Sequence, residues 1–83
     1  MSEQEIFDEL LHIIHVCLPE TDTENITMKT VINRDLGADS MSFILLMTKA
    51  EAKFNVRVPE DKWKDLATVE DVIKAIQKEM ANA

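Results

Sequence analysis

Apolar residues recur at helical spacing in three stretches of the chain. Ile6, Phe7, Leu10, Leu11, Ile13, Ile14 and Cys17 fall mainly on one stripe, with Asp8, Glu9 and His12 on the other side. Ser2 and Glu5 have the spacing of a capping box, and acids in the first turn suit the helix dipole. Pro19 stops the pattern near Cys17 or Leu18, so the spacing predicts a helix over about 3–17. In the second stretch, about 40–54, Leu46, Met47, Ala50 and Phe54 make a core stripe. Met41, Ile44, Leu45 and Thr48 lie on a different arc, and Phe43 to Met47 is apolar nearly all round. A helix of that kind is either buried on several sides or keeps a second face for a partner, and periodicity leaves both readings open. In the third, Val69, Val72, Ile73, Ile76 and Met80 form a clean stripe over about 69–80. Thr68 and Asp71 supply its start signal, and Ala81 to Ala83 are expected to fray.

The connections have less pattern. Residues 18–39 are polar with isolated apolar positions and no sustained period. A connection of about 20 residues is long for a compact domain, and such loops are functional or carry short helical turns. Ile26, Val31 and Leu36 are expected to pin it to the core. The Asn55–Pro59 connector has strand-like residues but is too short to make a sheet. Pro59 fits the first position of a short helix over about 60–65, with Trp63 and Leu66 turned inward. The expected fold is all-α: a small bundle of three main helices and one short helix with a long first loop, forming a single domain over 1–83 without repeats or linkers.

Composition narrows the function classes. One cysteine, Cys17, rules out an internal disulfide, the N-terminus lacks the basic region of a signal peptide, and no apolar run is long enough to span a bilayer. The expectation is a cytoplasmic protein, monomeric and not inserted in a membrane. The net charge of −7 is uneven: residues 1–39 carry nine acids and two bases, whereas 40–83 carry seven of each. A net-acidic surface repels phosphate backbones, which argues against a nucleic-acid partner.

Chemistry has few candidates. His12, His15 and Cys17 are the soft ligands, but no second Cys or His cluster completes a metal site, and Cys17 points along the apolar stripe. Asp35 and Asp39 lack the alternation of a calcium loop. Ser40 follows the chain's single glycine, Gly37, at the junction of a turn and a helix. The surrounding residues are not Gly-x-Ser-x-Gly and no strand precedes them, which weakens a hydrolase reading with His12 or His15 as base. Two roles for Ser40 stay open. It, or Asp39 beside it, caps the helix, or it accepts a covalent group at a helix end whose N–H groups and dipole favour a phosphate ester.

Asp35-Leu-Gly-Ala-Asp-Ser-Met41 resembles the phosphopantetheine attachment motif of acyl carrier proteins, D-L-G-x-D-S-[LM]. The resemblance covers most of the chain and includes Ile26-Thr27, the spacing from Phe54 to Val58-Pro59, and Thr68-Val69. It implies a four-helix carrier with 4′-phosphopantetheine on Ser40, holding acyl groups as thioesters and catalysing nothing itself. It implies that Asp39 assists Mg²⁺-dependent modification by a phosphopantetheinyl transferase, the holo-carrier synthase. Met41 and Ile44 match apolar positions that partner enzymes cover, and Leu45 is expected to join them. The implied partners are that transferase and the enzymes that load and process the acyl group. A second reading is a helical interaction module that keeps the carrier fold and works by binding a partner complex.

Two departures from the family pattern matter. Fatty-acid carriers have a strongly acidic second helix, but here Glu51 is the only acid after Asp39 in that stretch, and Lys49 and Lys53 are positive. This favours a specialised carrier for a polyketide, peptide-like or other dedicated acyl-transfer pathway, with a more apolar docking face. In addition, Trp63 stands where fatty-acid carriers have a small residue near the cavity that shelters the acyl chain. An indole there either fills that cavity or anchors the short helix.

Overall fold

The computed structural model describes residues 2–81, and Asn82 and Ala83, for which fraying was expected, lie outside the described residues. The first helix, α1, spans Glu3–Cys17. Its start is the reciprocal capping box: the Ser2 hydroxyl accepts the Glu5 N–H, and the Glu5 carboxylate accepts the Ser2 N–H. Ile6, Leu10, Ile13 and Ile14 are buried, with Phe7, Leu11 and Cys17 packed at the edges of the core.

The first loop is more structured than its composition suggests. It holds a 3-10 turn at Thr23–Asn25, capped by the Asp22 carboxylate, and a one-turn helix, α2, at Ile32–Asp35. The expected pins need one correction. Ile26 is buried and Leu36, half-buried, packs against the core, but half-buried Val31 does not join it, and the deepest anchors are Ile32, fully shielded from solvent, and Ala38. The backbone explains why. Asp35 Oδ2 accepts the Val31 N–H at 2.8 Å, which winds the chain into a turn and swings Ile32 inward. Gly37, at φ 67°, then ends α2 in the left-handed conformation that a Cβ disfavours.

Helix α3 spans Ser40–Phe54 and buries Leu46, Met47, Ala50 and Phe54. It ends at Asn55, which is also left-handed, at φ 55°. Beyond it, the Glu51 carboxylate accepts the Val58 N–H at 2.7 Å and holds the connector against the helix. The short element at Glu60–Asp65 is a 3-10 helix. Pro59 stands just before it rather than at its first position, with an extended ψ of 134°. Its carbonyl accepts the Lys62 N–H, the i→i+3 bond that a six-residue segment can close without a full α turn.

Helix α4 spans Val69–Ala81, its start held by Thr68 and Asp71: the Thr68 hydroxyl accepts the Asp71 N–H, while Asp71 Oδ2 accepts the N–H groups of Ala67 and Thr68. Helix α1 packs against both α3 and α4. The first loop is tied to the start of α4 through backbone bonds from Ile32 to Ala67, Val69 to Thr30 and Glu70 to Met28. Among the described residues there is no strand, only an isolated antiparallel bridge between Val31 and Thr68. The architecture is all-α, and the loop-to-α4 seam fixes where α3 begins.

Capping carboxylates also set the response to acid. Backbone N–H donors hold Glu5, Asp35, Asp39 and Asp71 below the ordinary carboxylate range. A lowered folded-state pKa stabilises the fold fully above the unfolded value, about 4, and the benefit is lost as pH falls through the folded value. The melting temperature should therefore change little between about pH 7 and pH 5 on account of these groups, and drop below about pH 4. Asp71→Asn should make that drop shallower in circular-dichroism melts, and an unchanged acid slope would count against the capping account.

Candidate functional site

The junction between Gly37 and α3 presents the candidate serine. Asp39 is the N-cap: its Oδ1 accepts the Ser42 N–H at 2.8 Å, and its carbonyl accepts the Phe43 N–H at 2.9 Å. The Ser42 N–H, with the Ser42 hydroxyl, is what holds the Asp39 carboxyl below its usual range, so it is ionised at neutral pH. Ser40 is the first residue inside the helix, and it is exposed. Of the two residues weighed for the cap, Asp39 takes it. The Ser40 hydroxyl makes no hydrogen bond within the described residues, so no base is oriented on it and nothing holds it back from a reagent.

Ser40 opens onto a cleft of about 220 Å³. Phe43 and Ile44 of α3 line one wall, and Trp63, Lys64 and Leu66 line the other, with Asn33 of α2 at the edge. The Trp63 indole N–H donates to the Val58 carbonyl at 3.0 Å. Its ring meets Phe43 edge to face, with centroids 6.2 Å apart and planes at 81°. Sequence reasoning singled out Ser40, Ile44, Trp63 and the inward-turned Leu66, read Phe43 only as part of an apolar run, and missed Asn33 and Lys64. Asn33 lies on the unanticipated α2, whose one readable signal is the glycine stop two residues after Asp35.

The outer face of α3 carries the other candidates. Met41, Ile44 and Leu45 are 80%, 51% and 45% exposed. Together with Ser42 and Thr48 they form a shallow apolar depression on the helix surface. His12 and His15 are exposed on α1, and burial pushes the Cys17 thiol up, away from thiolate chemistry.

This arrangement suits a phosphodiester-linked arm. An exposed primary hydroxyl stands at the positive end of a fifteen-residue helix, beside an ionised carboxylate and a partly apolar cleft. Comparison with known families gives the family: residues 5–76 match the family model described as the phosphopantetheine attachment site. The chain belongs to the acyl carrier protein family. It is similar to the acyl carrier protein of Thermobifida fusca, 42% identical over 77 residues, which covers 93% of this chain and 96% of that protein. The acyl carrier protein of Beutenbergia cavernae is 38% identical over 77 residues and 90% of each chain. That of Phytoplasma australiense is 40% identical over 60 residues, 72% of this chain and 79% of the relative. Members of the family are carriers and not catalysts, and phosphopantetheine is their cofactor. In general they interact with a phosphopantetheinyl transferase and with acyl-processing enzymes. No described helix of this carrier is long and apolar enough to cross a membrane.

Proposed function

We propose that this carrier takes 4′-phosphopantetheine on Ser40 and presents acyl thioesters to the enzymes of a dedicated pathway, as a discrete, monomeric protein of the cytoplasm. The observation that carries the assignment is the division of labour at the start of α3. Asp39 satisfies the helix end, so the Ser40 hydroxyl is left exposed and unbonded. The bound arm would supply a terminal thiol for the acyl group. The residues of this chain would place it: the positive end of α3 favours the phosphodiester, and Asp39, ionised beside the serine, assists the transferase. Intact-protein mass spectrometry after incubation with coenzyme A and a transferase tests the reading. The expected result is a gain of one phosphopantetheine, and no gain with several transferases would instead favour an interaction module.

The docking face supports a specialised pathway over primary fatty-acid synthesis. The single acid of α3, Glu51, is turned onto the Val58 N–H, and Lys53 pairs with Glu9 of α1. Between them the exposed line of Met41, Leu45, Thr48 and Ala52 is uncharged. An enzyme that reads this helix reads apolar shape more than negative charge, so Met41, Ile44 and Leu45 are its contact residues. Leu45→Glu should raise the KM of the cognate loading enzyme about tenfold or more while leaving the melting temperature unchanged, because the side chain is half-exposed and its loss opens no cavity. Unchanged turnover would sink the idea.

A further inference from the structure

Asp35 stands between the seam with α4 and the turn that leads to Ser40. At the seam, Ile32 donates to the Ala67 carbonyl and Val69 to the Thr30 carbonyl, each at 3.0 Å. The N–H of Val31, between Thr30 and Ile32, is not used by the seam and needs another acceptor. Asp35 Oδ2 takes it at 2.8 Å, while the Asp35 N–H donates to the Val31 carbonyl at 2.7 Å. The two residues close a reciprocal pair across one helical turn. Past that pair the bonds lengthen. Leu36 reaches the Ile32 carbonyl at 3.3 Å and Ala38 reaches it at 3.5 Å, both longer than the roughly 2.9–3.0 Å typical of an N–H···O bond. Packing adds little, since only Ala38 of residues 36–39 is buried. The Val31–Asp35 pair is therefore the last short hold on the chain before Asp39 caps α3. Arg34 Nε lies 3.2 Å from the other Asp35 oxygen, but that ion pair is 75% and 41% exposed and contributes little.

We propose that Asp35 is a positioning residue for the modification of Ser40: its carboxylate, acting through the Val31 N–H, holds the turn from Leu36 to Asp39 in the form that presents the serine to the transferase. The inference rests on Ser40 being the attachment point and adds a residue that acts on it from a distance. What matters in Asp35 is the acceptor and not the charge. A transferase that binds only the closed turn sees its apparent affinity reduced by the fraction of carrier in which the turn is open. Loss of the Asp35 bond should thus raise KM and leave kcat unchanged.

The test follows loading of the full-length carrier by intact mass, with coenzyme A and a phosphopantetheinyl transferase, over a range of carrier concentrations. Asp35→Ala keeps a good helix former at the position and removes the acceptor, and its KM should rise at least about threefold at constant kcat. Asp35→Asn keeps an oxygen for the Val31 N–H and loses the pairing with Arg34, so its KM should stay within about twofold of wild type. Arg34→Gln should do the same. Glu5→Ala removes a carboxylate from the capping box at the start of α1, and it should lower the melting temperature without moving KM. That separates positioning from a general loss of stability. Hydrogen exchange on the wild-type protein gives a reading that needs no variant to fold: the N–H groups of Val31, Leu36 and Ala38 should exchange together, at lower protection than the core of α1 or α4. An unchanged KM in Asp35→Ala, an Asp35→Asn carrier as slow as Asp35→Ala, or Val31 exchanging independently of Leu36 and Ala38 overturns the inference and leaves the carrier reading intact. A wild-type carrier that several transferases fail to load overturns the reading of Ser40 instead.

Discussion

Ser40→Ala should abolish the mass gain of one phosphopantetheine completely while leaving the fold intact. The two halves of this expectation come from different atoms. Modification needs an oxygen nucleophile at that position, and the neighbouring hydroxyl, Ser42, is half-buried in the first turn and lies near the Asp39 cap, so it does not substitute. Stability does not need the hydroxyl, because it makes no hydrogen bond and the cap belongs to Asp39. Alanine is a better helix former than serine, and an exposed change of this kind stays within about 0.5 kcal/mol. Asp39→Ala should do the reverse in part. Losing an N-cap costs about 0.5–2 kcal/mol, and modification should slow without vanishing because the hydroxyl remains. Mass spectrometry and thermal melts on the same two variants read both effects. A Ser40→Ala protein that still gains the mass would place the attachment elsewhere, and one that unfolds would mean that the serine also supports the fold.

The parts of this structure legible in the sequence were those set by local chemistry. The capping boxes at Ser2–Glu5 and Thr68–Asp71 and the three apolar stripes announce α1, α3 and α4 without reference to anything distant. The attachment motif was legible as a motif, but the choice between Ser40 and Asp39 as cap was not. Both residue types cap well, and only the hydrogen bond from Ser42 distinguishes them. The cleft was less legible still. Ser40, Phe43, Trp63 and Asn33 come from three elements, and their meeting depends on how the first loop crosses to the start of α4. That crossing is made by backbone groups, which carry no side-chain signature. The role of Glu51 was hidden for a similar reason: an acid on the rim of a helix looks like a docking charge until its carboxylate is found on the Val58 N–H.

Ile32→Ala should be among the most destabilising single changes in the first loop, and it should reach Ser40 without touching it. Ile32 is wholly buried, and truncating such a side chain costs about 2–5 kcal/mol through lost burial and the cavity left behind. The whole domain has only about 4–12 kcal/mol to lose at its size. A melting temperature at least about 8 °C lower is the expected reading. Leu36→Ala, at a half-buried position, should cost clearly less, and Ile32→Val only about 0.5–1.5 kcal/mol. The functional consequence follows from the backbone around Ile32. Its N–H is bonded to Ala67 at 3.0 Å, and its carbonyl receives Leu36 at 3.3 Å and Ala38 at 3.5 Å. These bonds carry the chain from the seam with α4 through Gly37 to Asp39. With the isoleucine gone, α2 loses its hold on the core and the turn before Ser40 becomes the part of the molecule that opens at least cost. Hydrogen exchange should then show the N–H groups of Leu36 and Ala38 losing protection before those of α1 or α4. If exchange instead rises uniformly, Ile32 belongs to the common core rather than to a local brace for the turn before Ser40.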